Sequence, residues 1–243
     1  MSEILKINDL WGGYLEGFDI LRGISIDVQQ GEAVGIIGLN GSGKSTLGKA
    51  IMNMLPFRKG DIFFEGEDIT SLTTSQLSHR GISIMQQGGR VFKNLSVWDN
   101  LQLSLSRQPS NTLDVLKNII PMLQRSKKEL QHTMADKLSG GQKHQLSLAM
   151  TLATNPRLVI LDEPSAGLSP KAVEEMYQIL CDIRAKFNVT IILIEQNIAK
   201  AVKFCERCMM MGDRKILYVF VDELLSLSEI ESLMFKNREY ESV

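Results

Sequence analysis

One stretch, residues 33–46, constrains the fold of this chain more than any other. An apolar run, Ala33–Ile37, leads directly into Gly38-Leu39-Asn40-Gly41-Ser42-Gly43-Lys44-Ser45-Thr46. These residues fit the phosphate-loop pattern GxxxxGKS/T, in which a strand precedes the loop and a helix follows it. Because glycine has no side chain, the main chain can wrap around a polyphosphate and point its N–H groups at the phosphate oxygens. The sequence therefore predicts a strand, a loop and a helix that together bind a polyphosphate.

Two side chains of this loop have separate predicted roles. Lys44 can reach the β- and γ-phosphates, and Ser45 can offer its hydroxyl to Mg²⁺. An ordinary glycine-rich turn is one alternative. The nearer alternative is a dinucleotide fingerprint, GxGxxG, but Thr46 stands where its last glycine belongs, and the fingerprint has no role for the Lys-Ser pair. The pattern therefore favours the phosphate loop.

The composition narrows the class of protein further. Of the 243 residues, 27 are basic and 28 are acidic, which gives a net charge of -1. Nucleic-acid modules usually carry a clear basic excess, so this balance argues against nucleic acid as the main partner. The apolar runs are a handful of residues long, whereas a membrane-spanning helix needs about 20. The first residues also lack the pattern of a signal peptide, so we expect a cytoplasmic protein that does not cross a membrane.

The three cysteines, Cys181, Cys205 and Cys208, cannot form a closed set of disulfides because their number is odd. Cys205 and Cys208 have CxxC spacing, but the further Cys or His ligands of a structural zinc site do not accompany them. We expect ordinary free thiols, which are common in protein cores.

Short apolar runs alternate with stretches of helical spacing along the chain. Runs without polar alternation are typical of strands buried on both faces, so the order predicts a parallel sheet covered by helices. The predicted central strands are Ala33–Ile37, Gly81–Met85, Leu158–Leu161 and Thr190–Ile194, and the helices are Lys44–Leu55 and Ala172–Phe187.

Two other segments have a different character. Residues 93–137 are rich in Leu, Gln, Ser and Asn and contain no strand-like run, which predicts an inserted helical subdomain. After Gly212 the sequence predicts one more turn and strand. A short closing helix would follow, with Ser228 and Glu231 in a capping box.

A pair of carboxylates, Asp162 and Glu163, ends the apolar run Leu158–Leu161. Open α/β sheets bind ligands at the carboxyl ends of their strands. Alone, such a pair could equally be a solvated strand end. With a phosphate loop upstream, it favours a site in which Asp162 holds Mg²⁺ through water and Glu163 orients or deprotonates an attacking water.

The third motif is Leu138-Ser139-Gly140-Gly141-Gln142. Taken alone, Ser139 before two glycines would be an ordinary helix N-cap. Together with the phosphate loop and the Asp-Glu strand, this motif resembles the signature of the ABC ATPase superfamily, and the resemblance covers nearly the full chain. In that family the signature contacts the γ-phosphate of ATP held by the opposite subunit of a dimer. A hydroxyl and glycine N–H groups at a helix start suit such an anion.

The resemblance implies a single ABC ATPase domain with an α/β fold. This fold has a P-loop NTPase core with a mostly parallel sheet, an N-terminal antiparallel β portion and an inserted α-helical subdomain. The core would comprise residues 1–92 and 138–213, and the subdomain residues 93–137. Residues 214–243 would form the C-terminal strand and short helix.

The resemblance also assigns roles to residues that pattern alone leaves open. Tyr14 stands where the family stacks an aromatic ring on adenine, although a half-buried strand aromatic is the alternative. Gln87 occupies the position of the Gln loop, which ligates Mg²⁺ and senses the transporter, with Gln86 as the alternative by a slip of one residue. Catalysis would fall to Lys44, Glu163 and Gln196.

Two departures from the family pattern narrow the resemblance. Ser169 ends the D-loop Ser165–Ser169 where Asp is usual, and Gln196 stands where most members have the switch His. A Gln amide can donate a hydrogen bond to phosphate, but it cannot hold a proton. With Gly88–Phe92, these features look like the ATP-binding subunits of importers for branched-chain amino acids and related amides or urea. The tail after Gly212 departs from the Gly-rich close of that branch.

The implied partners follow from this branch. We expect a dimer with a second ABC ATPase subunit, identical or related, that binds Mg²⁺ and ATP and drives a separate integral-membrane permease. The chain would then lie on the cytoplasmic face of the membrane through that permease, with no nucleic acid bound. The alternatives are the ATPase subunit of an exporter and a non-transport ABC ATPase acting on DNA or ribosomes. The chain has one cassette and no sustained heptads, which argues against the last of these.

Overall fold

The computed structural model describes residues 2–105, 112–221, 229 and 232. The chain divides into two compact units, Met1–Leu77 with Thr190–Val243, and Ser78–Val189. The strands are β1 (Glu3–Gly13), β2 (Leu21–Gln29), β3 (Ala33–Ile37), β4 (Phe57–Phe64), β5 (Glu67–Asp68), β6 (Ile82–Met85), β7 (Leu158–Asp162), β8 (Thr190–Glu195), β9 (Arg207–Gly212) and β10 (Lys215–Val221). The helices are α1 (Lys44–Ile51), α2 (Thr74–His79), α3 (Val97–Leu105), α4 (Thr112–Ile119), α5 (Lys127–His132), α6 (Gly140–Leu152), α7 (Pro170–Phe187) and α8 (Ile198–Phe204).

The first unit begins with an antiparallel sheet. Strand β1 lies between β2 and β4 and pairs antiparallel with both. Leu5, Ile7 and Leu10 of β1 are almost fully buried, because the strand turns its apolar residues toward the core. The predicted N-terminal antiparallel portion is therefore confirmed.

A second sheet in the same unit carries the predicted strand Ala33–Ile37. Strand β3 pairs parallel with β8 and with β9, and β10 pairs antiparallel with β9. Every residue of β3 and of β8 is buried, which explains their continuous apolar sequences. Helix α8 packs on β3, β8 and β9, and α1 contacts β8.

Helix α1 begins at Lys44 as predicted, but it ends at Ile51 and not at Leu55. Asn53 adopts a left-handed conformation with φ of +51°, which is a common way to end a helix. Pro56 then disfavours helical dihedral angles at Leu55.

The second unit pairs β6 and β7 in parallel, as their buried apolar sequences predicted. The range predicted to be helical contains α3, α4, α5 and two short 3₁₀ turns among its described residues. Helix α7 begins at Pro170, two residues before the predicted start. Proline is favoured in the first turn of a helix, where its missing N–H has no partner to lose.

The predicted strand after Gly212 is confirmed as β10. Asp213 and Arg214 both have positive φ and form a tight turn between β9 and β10, as a two-residue hairpin requires. The proposed capping box of Ser228 and Glu231 lies outside the described residues. No helix in the part of the chain that the structure describes is long and apolar enough to span a bilayer.

Candidate functional site

The phosphate loop lies between β3 and α1, as the sequence predicted. Gly41 and Gly43 have φ of +84° and +102°, which residues with a side chain rarely adopt. Gly43 is the N-cap of α1, and no described side chain caps this helix end. The N-terminal N–H groups of α1 point toward this loop, and the positive end of the helix dipole favours an anion there.

Lys44 is 4% exposed, and loop carbonyls hold its charge. Its Nζ donates to the carbonyl oxygens of Gly38 at 2.9 Å and Leu39 at 2.8 Å. The Ser42 Oγ is buried and has no hydrogen-bond partner among the described residues. A buried polar atom without a partner is costly, so this loop suits a ligand that brings further oxygens.

Tyr14 contacts the last turn of the same helix, through Lys49. Its hydroxyl accepts a hydrogen bond of 3.0 Å from Lys49 Nζ, which lies 5.3 Å from the ring centroid. The Tyr14 side chain remains 41% exposed. Lys49 therefore anchors the hydroxyl edge of the ring, while the ring keeps exposed surface on which a base could stack.

In the second unit, Asp162 and Glu163 stand at the end of β7 and are 3% and 6% exposed. Glu163 has φ of +48°, a rare conformation for a residue other than glycine and one that concentrates at functional sites. Gln87 Nε2 donates a hydrogen bond of 2.5 Å to Glu163 Oε2. Gln87 thus contacts the predicted base directly, and its assignment to the Gln loop stays a prediction.

The loop after Gln87 packs on helix α6. Gly89 has φ of +57°, and a Cβ there would lie 3.0 Å from both the main-chain N and the Nδ1 of His144. His144 Nδ1 lies 2.9 Å from the Gly140 carbonyl oxygen, so it donates to the first turn of α6. The sequence does not single out His144, because its contact with Gly89 joins two segments that are far apart in the chain.

Asn100 fixes the far end of this loop. It is fully buried, accepts a hydrogen bond of 2.8 Å from the Phe92 N–H and donates one of 3.0 Å to the Phe92 carbonyl. The Phe92 side chain is nevertheless 55% exposed.

The signature residues begin α6. Ser139 Oγ accepts from Gln142 N at 3.3 Å, and Gln142 Oε1 accepts from Ser139 N at 3.1 Å, which together form a capping box. The N-cap alternative is therefore correct for this turn and is compatible with the signature role. The signature residues Ser139 to Gln142 line a groove of about 600 Å³. The other residues that line it are Pro121, Met122, Arg125, Gln145, Gly167, Leu168, Ser169, Ala172 and Glu175.

Ser169, which also lines this groove, stands where the D-loop of the family usually has Asp. Ser169 is the N-cap of α7, and its Oγ accepts from the Ala172 N–H at 3.4 Å. Ser and Asp are about equally good N-cap residues, so the substitution preserves the helix start. It removes one negative charge from the groove.

Gln196 follows β8 in the first unit and is exposed. Its main-chain N–H donates to Glu195 Oε2 at 3.0 Å, and the N–H of Asn197 donates to the same oxygen at 3.3 Å. Glu195 is 3% exposed, so a buried carboxylate holds the backbone that presents Gln196. In the sequence, the only indication of this supporting role is that Glu195 is an acidic residue at the end of an apolar run.

The predicted magnesium ligands fit the metal by their chemistry. Ser45, Gln87 and Asp162 all offer oxygen atoms, which Mg²⁺ prefers, and Asp162 is a buried carboxylate. Among the described residues, no group of three or more His, Cys, Asp or Glu side chains is arranged to hold a metal. One carboxylate with Ser and Gln oxygens is typical of Mg²⁺ sites that borrow phosphate oxygens from the substrate.

Comparison with known proteins gives consistent results. Residues 21–166 match the ABC transporter family. The lipopolysaccharide export system ATP-binding protein LptB of Acidithiobacillus ferridurans is 30% identical, over 89% of this chain and 90% of that protein. The high-affinity branched-chain amino acid transport ATP-binding protein BraG of Pseudomonas aeruginosa is 31% identical, over 84% and 87%. The ADP conformation of MJ1267, an ATP-binding cassette of an ABC transporter, superposes with a TM-score of 0.81 at 27% identity and covers 100% of both chains.

Proposed function

The chain belongs to the ABC transporter family as an ATP-binding subunit that hydrolyses ATP, and from this premise we propose that it drives uptake of branched-chain amino acids or related small solutes. It does so as a dimer with a second ABC ATPase subunit, bound to a separate membrane permease. The observation that carries this proposal is the similarity to BraG, which extends over 84% of the chain. Gln196 also supports the proposal, because Gln in place of the switch His is a feature that this chain shares with the same importer branch.

In this proposal the phosphate loop holds ATP. The N-terminal N–H groups of α1 and the loop contact the phosphate oxygens, and Ser42 supplies a hydroxyl. The Lys44 ammonium exchanges its loop carbonyls for the β- and γ-phosphates, whose full charges bind it more strongly. Tyr14 stacks on the adenine ring.

Ser45, Gln87 and Asp162 would hold Mg²⁺. When bound, the ion neutralises charge that develops on the β- and γ-phosphate oxygens. The dual position of Gln87, as a proposed ligand and as the hydrogen-bond partner of Glu163, makes it suited to report on the bound nucleotide.

Hydrolysis then requires a water aligned with the γ-phosphorus. Glu163 orients this water and takes its proton, the water oxygen forms the new bond to phosphorus, and the bond to the β–γ bridging oxygen breaks. Gln196 donates its amide to the γ-phosphate. Catalysis of this kind consists mainly of positioning and charge stabilisation.

The signature residues act on the nucleotide of the other subunit. Ser139, Gly140, Gly141 and Gln142 begin the thirteen-residue helix α6 and face the groove described above. Its N–H groups and the Ser139 hydroxyl suit a terminal phosphate brought by the partner. ATP therefore closes the dimer, and hydrolysis opens it.

A second candidate function is export. The similarity to LptB, 30% identity over 89% of the chain, favours it to a comparable degree. The two candidates differ in the permease, which selects the transported molecule. The permease also places the chain on the cytoplasmic face of the membrane in both cases.

One experiment separates the candidates. The tagged chain is purified from native membranes in mild detergent, and the co-purifying permease is identified and reconstituted in vesicles with radiolabelled leucine. ATP-dependent leucine transport in the import direction, absent with Glu163→Gln, supports the proposal. A lipid-exporting permease supports the second candidate, and ribosomes or nucleic acid in place of a permease contradict both.

A further inference from the structure

Two cysteine thiols meet behind the phosphate loop. Cys205 ends α8 and Cys208 lies in β9, and both sulfur atoms lie against Gly35 of β3. A Cβ at position 35 would lie 2.7 Å from Cys208 Sγ and 3.3 Å from Cys205 Sγ. Glycine at this position therefore provides the space in which the two thiols sit together.

The two thiols differ in exposure and in acidity. Cys205 is half-buried, whereas Cys208 is only 3% exposed. The hydrogen bond from the Cys205 thiol lowers the pKa of Cys208, against the opposing effect of burial. The pair thus combines a half-buried cysteine with a neighbouring thiol that ionises more readily, a combination that favours thiol oxidation.

Strand β9 connects this pair to the phosphate loop. Cys208 pairs with Gly35 in the sheet. Three residues further along β9, the Met211 carbonyl oxygen lies so close to Gly38 that a Cβ there would collide with it. The Met211 Cε also lies against Gly43, where a Cβ would be 2.9 Å away. One strand therefore contacts both the thiol pair and two glycines of the loop.

We propose that Cys205 and Cys208 form a reversible disulfide with hydrogen peroxide as the oxidant, and that this bond weakens ATP binding. The Cys208 thiolate takes the proton of the Cys205 thiol, and the Cys205 thiolate attacks one peroxide oxygen. The O–O bond breaks, a sulfenic acid and hydroxide form, and the hydroxide takes the proton back from Cys208 and becomes water. The Cys208 thiolate attacks the Cys205 sulfur, and hydroxide leaves and takes up a proton as water. In total, two thiols are oxidised and one peroxide is reduced to two waters. A dithiol reverses the step by exchange.

The bond must change the geometry of β9. A disulfide holds its sulfurs at about 2.05 Å, much closer than two hydrogen-bonded thiols. The pair is packed among Ile37, Ala201 and Met210, and such dense packing transmits a displacement rather than absorbing it. Movement of β9 then reaches Gly38 and Gly43 through Met211.

The test uses the reduced full-length protein. After peroxide treatment, free thiols are alkylated and peptides are mapped by mass spectrometry, and ATP affinity is measured with a fluorescent ATP analogue. We expect Cys205 and Cys208 to be joined while Cys181 is alkylated. Affinity should fall about tenfold, or ~1.4 kcal/mol, and recover with dithiothreitol.

Two variants serve as controls. Cys205→Ser changes a half-buried residue and should abolish the affinity response, whereas Cys181→Ser, at an exposed position in α7, should preserve it. Alkylation of both Cys205 and Cys208 after peroxide would overturn the proposal, as would a disulfide with unchanged affinity. Because the affinity measurement rests on the proposed nucleotide site, failure of the reduced protein to bind the analogue would contradict that site instead, and the peptide map reads the disulfide independently.

Discussion

The side-chain amide of Gln87 donates a hydrogen bond of 2.5 Å to the carboxylate of Glu163. Glu163 also has a left-handed backbone with φ of +48° and is 6% exposed. A carboxylate held by its neighbour and by an uncommon backbone conformation has a fixed direction. The proposed base can therefore be tested both directly and through the residue that holds it.

Glu163→Gln should keep ATP binding and reduce ATP hydrolysis by about 10²–10⁴-fold, because an amide cannot accept the proton of the attacking water. ATP should then trap a dimer that size-exclusion chromatography detects. Glu174→Gln, an exposed change in α7, is the matched control and should leave both properties unchanged. Normal hydrolysis by Glu163→Gln would show that another group is the base.

Gln87→Ala and Gln86→Ala form a matched pair of neighbouring substitutions. Gln87→Ala removes the hydrogen bond to Glu163, so we expect it to lower the turnover number clearly more than Gln86→Ala does. Steady-state ATPase rates with the permease present provide the measurement. A larger loss in Gln86→Ala would place the Gln loop one residue earlier.

Lys44→Ala should weaken ATP binding by roughly 30-fold, or ~2 kcal/mol, because it removes a charged hydrogen-bond donor to the phosphates. Lys44→Met retains most of the volume of the buried Lys44 side chain, so it tests the loss of the charge without the loss of packing. Both variants should lose affinity in titrations with a fluorescent ATP analogue. An unchanged affinity in Lys44→Met would contradict the phosphate contact.

Gly88→Ala and Gly89→Ala test the contact between the loop and α6. Both glycines have positive φ, so each substitution should cost ~1 kcal/mol in the free energy of unfolding. Only Gly89 faces His144, since a Cβ at Gly88 would meet nothing within 4 Å. We expect Gly89→Ala to lower stability further and to reduce ATPase turnover. Equal effects in urea unfolding and in turnover would exclude a role for the His144 contact.

Gln196→Ala should lower turnover by ~10²–10³-fold with little change in ATP affinity, because one donor to developing charge is lost while Lys44 and the loop retain ground-state binding. Gln196→His should restore or raise activity, since imidazole can make the same hydrogen bond. Steady-state kinetics of both variants with the permease present would check this. An unchanged rate in Gln196→Ala would make Gln196 a bystander at the end of β8.

Most of the fold could be predicted from patterns among residues that are neighbours in the sequence. The phosphate loop and the buried strands β3 and β8 could be predicted because continuous apolar runs and glycine spacing are properties of neighbouring residues. Helix α1 ends four residues before its predicted end at Leu55, because Asn53 and Pro56 both disfavour its continuation. The spacing of apolar residues, on which the prediction was based, contains no information about these two residues.

The supporting contacts of the candidate site could not be predicted in the same way. The bond from Gln87 to Glu163 joins residues 76 positions apart, and the contact of Gly89 with His144 joins two different segments. In the sequence, Glu195 is only an acidic residue after an apolar run, whereas in the structure its carboxylate accepts two main-chain N–H groups. Sequence motifs identify groups that touch a substrate, whereas groups that hold them in place are recognised only by proximity.

Asn100 holds the main chain at Phe92 from both sides, although the Phe92 ring points outward. The backbone path of the loop is therefore independent of which side chain is present at position 92. A substitution at this position can alter the exposed surface while the hydrogen bonds that hold the backbone stay in place. Evolution can thus vary the exposed surface at position 92 without disturbing the hydrogen bonds of Asn100 to the loop.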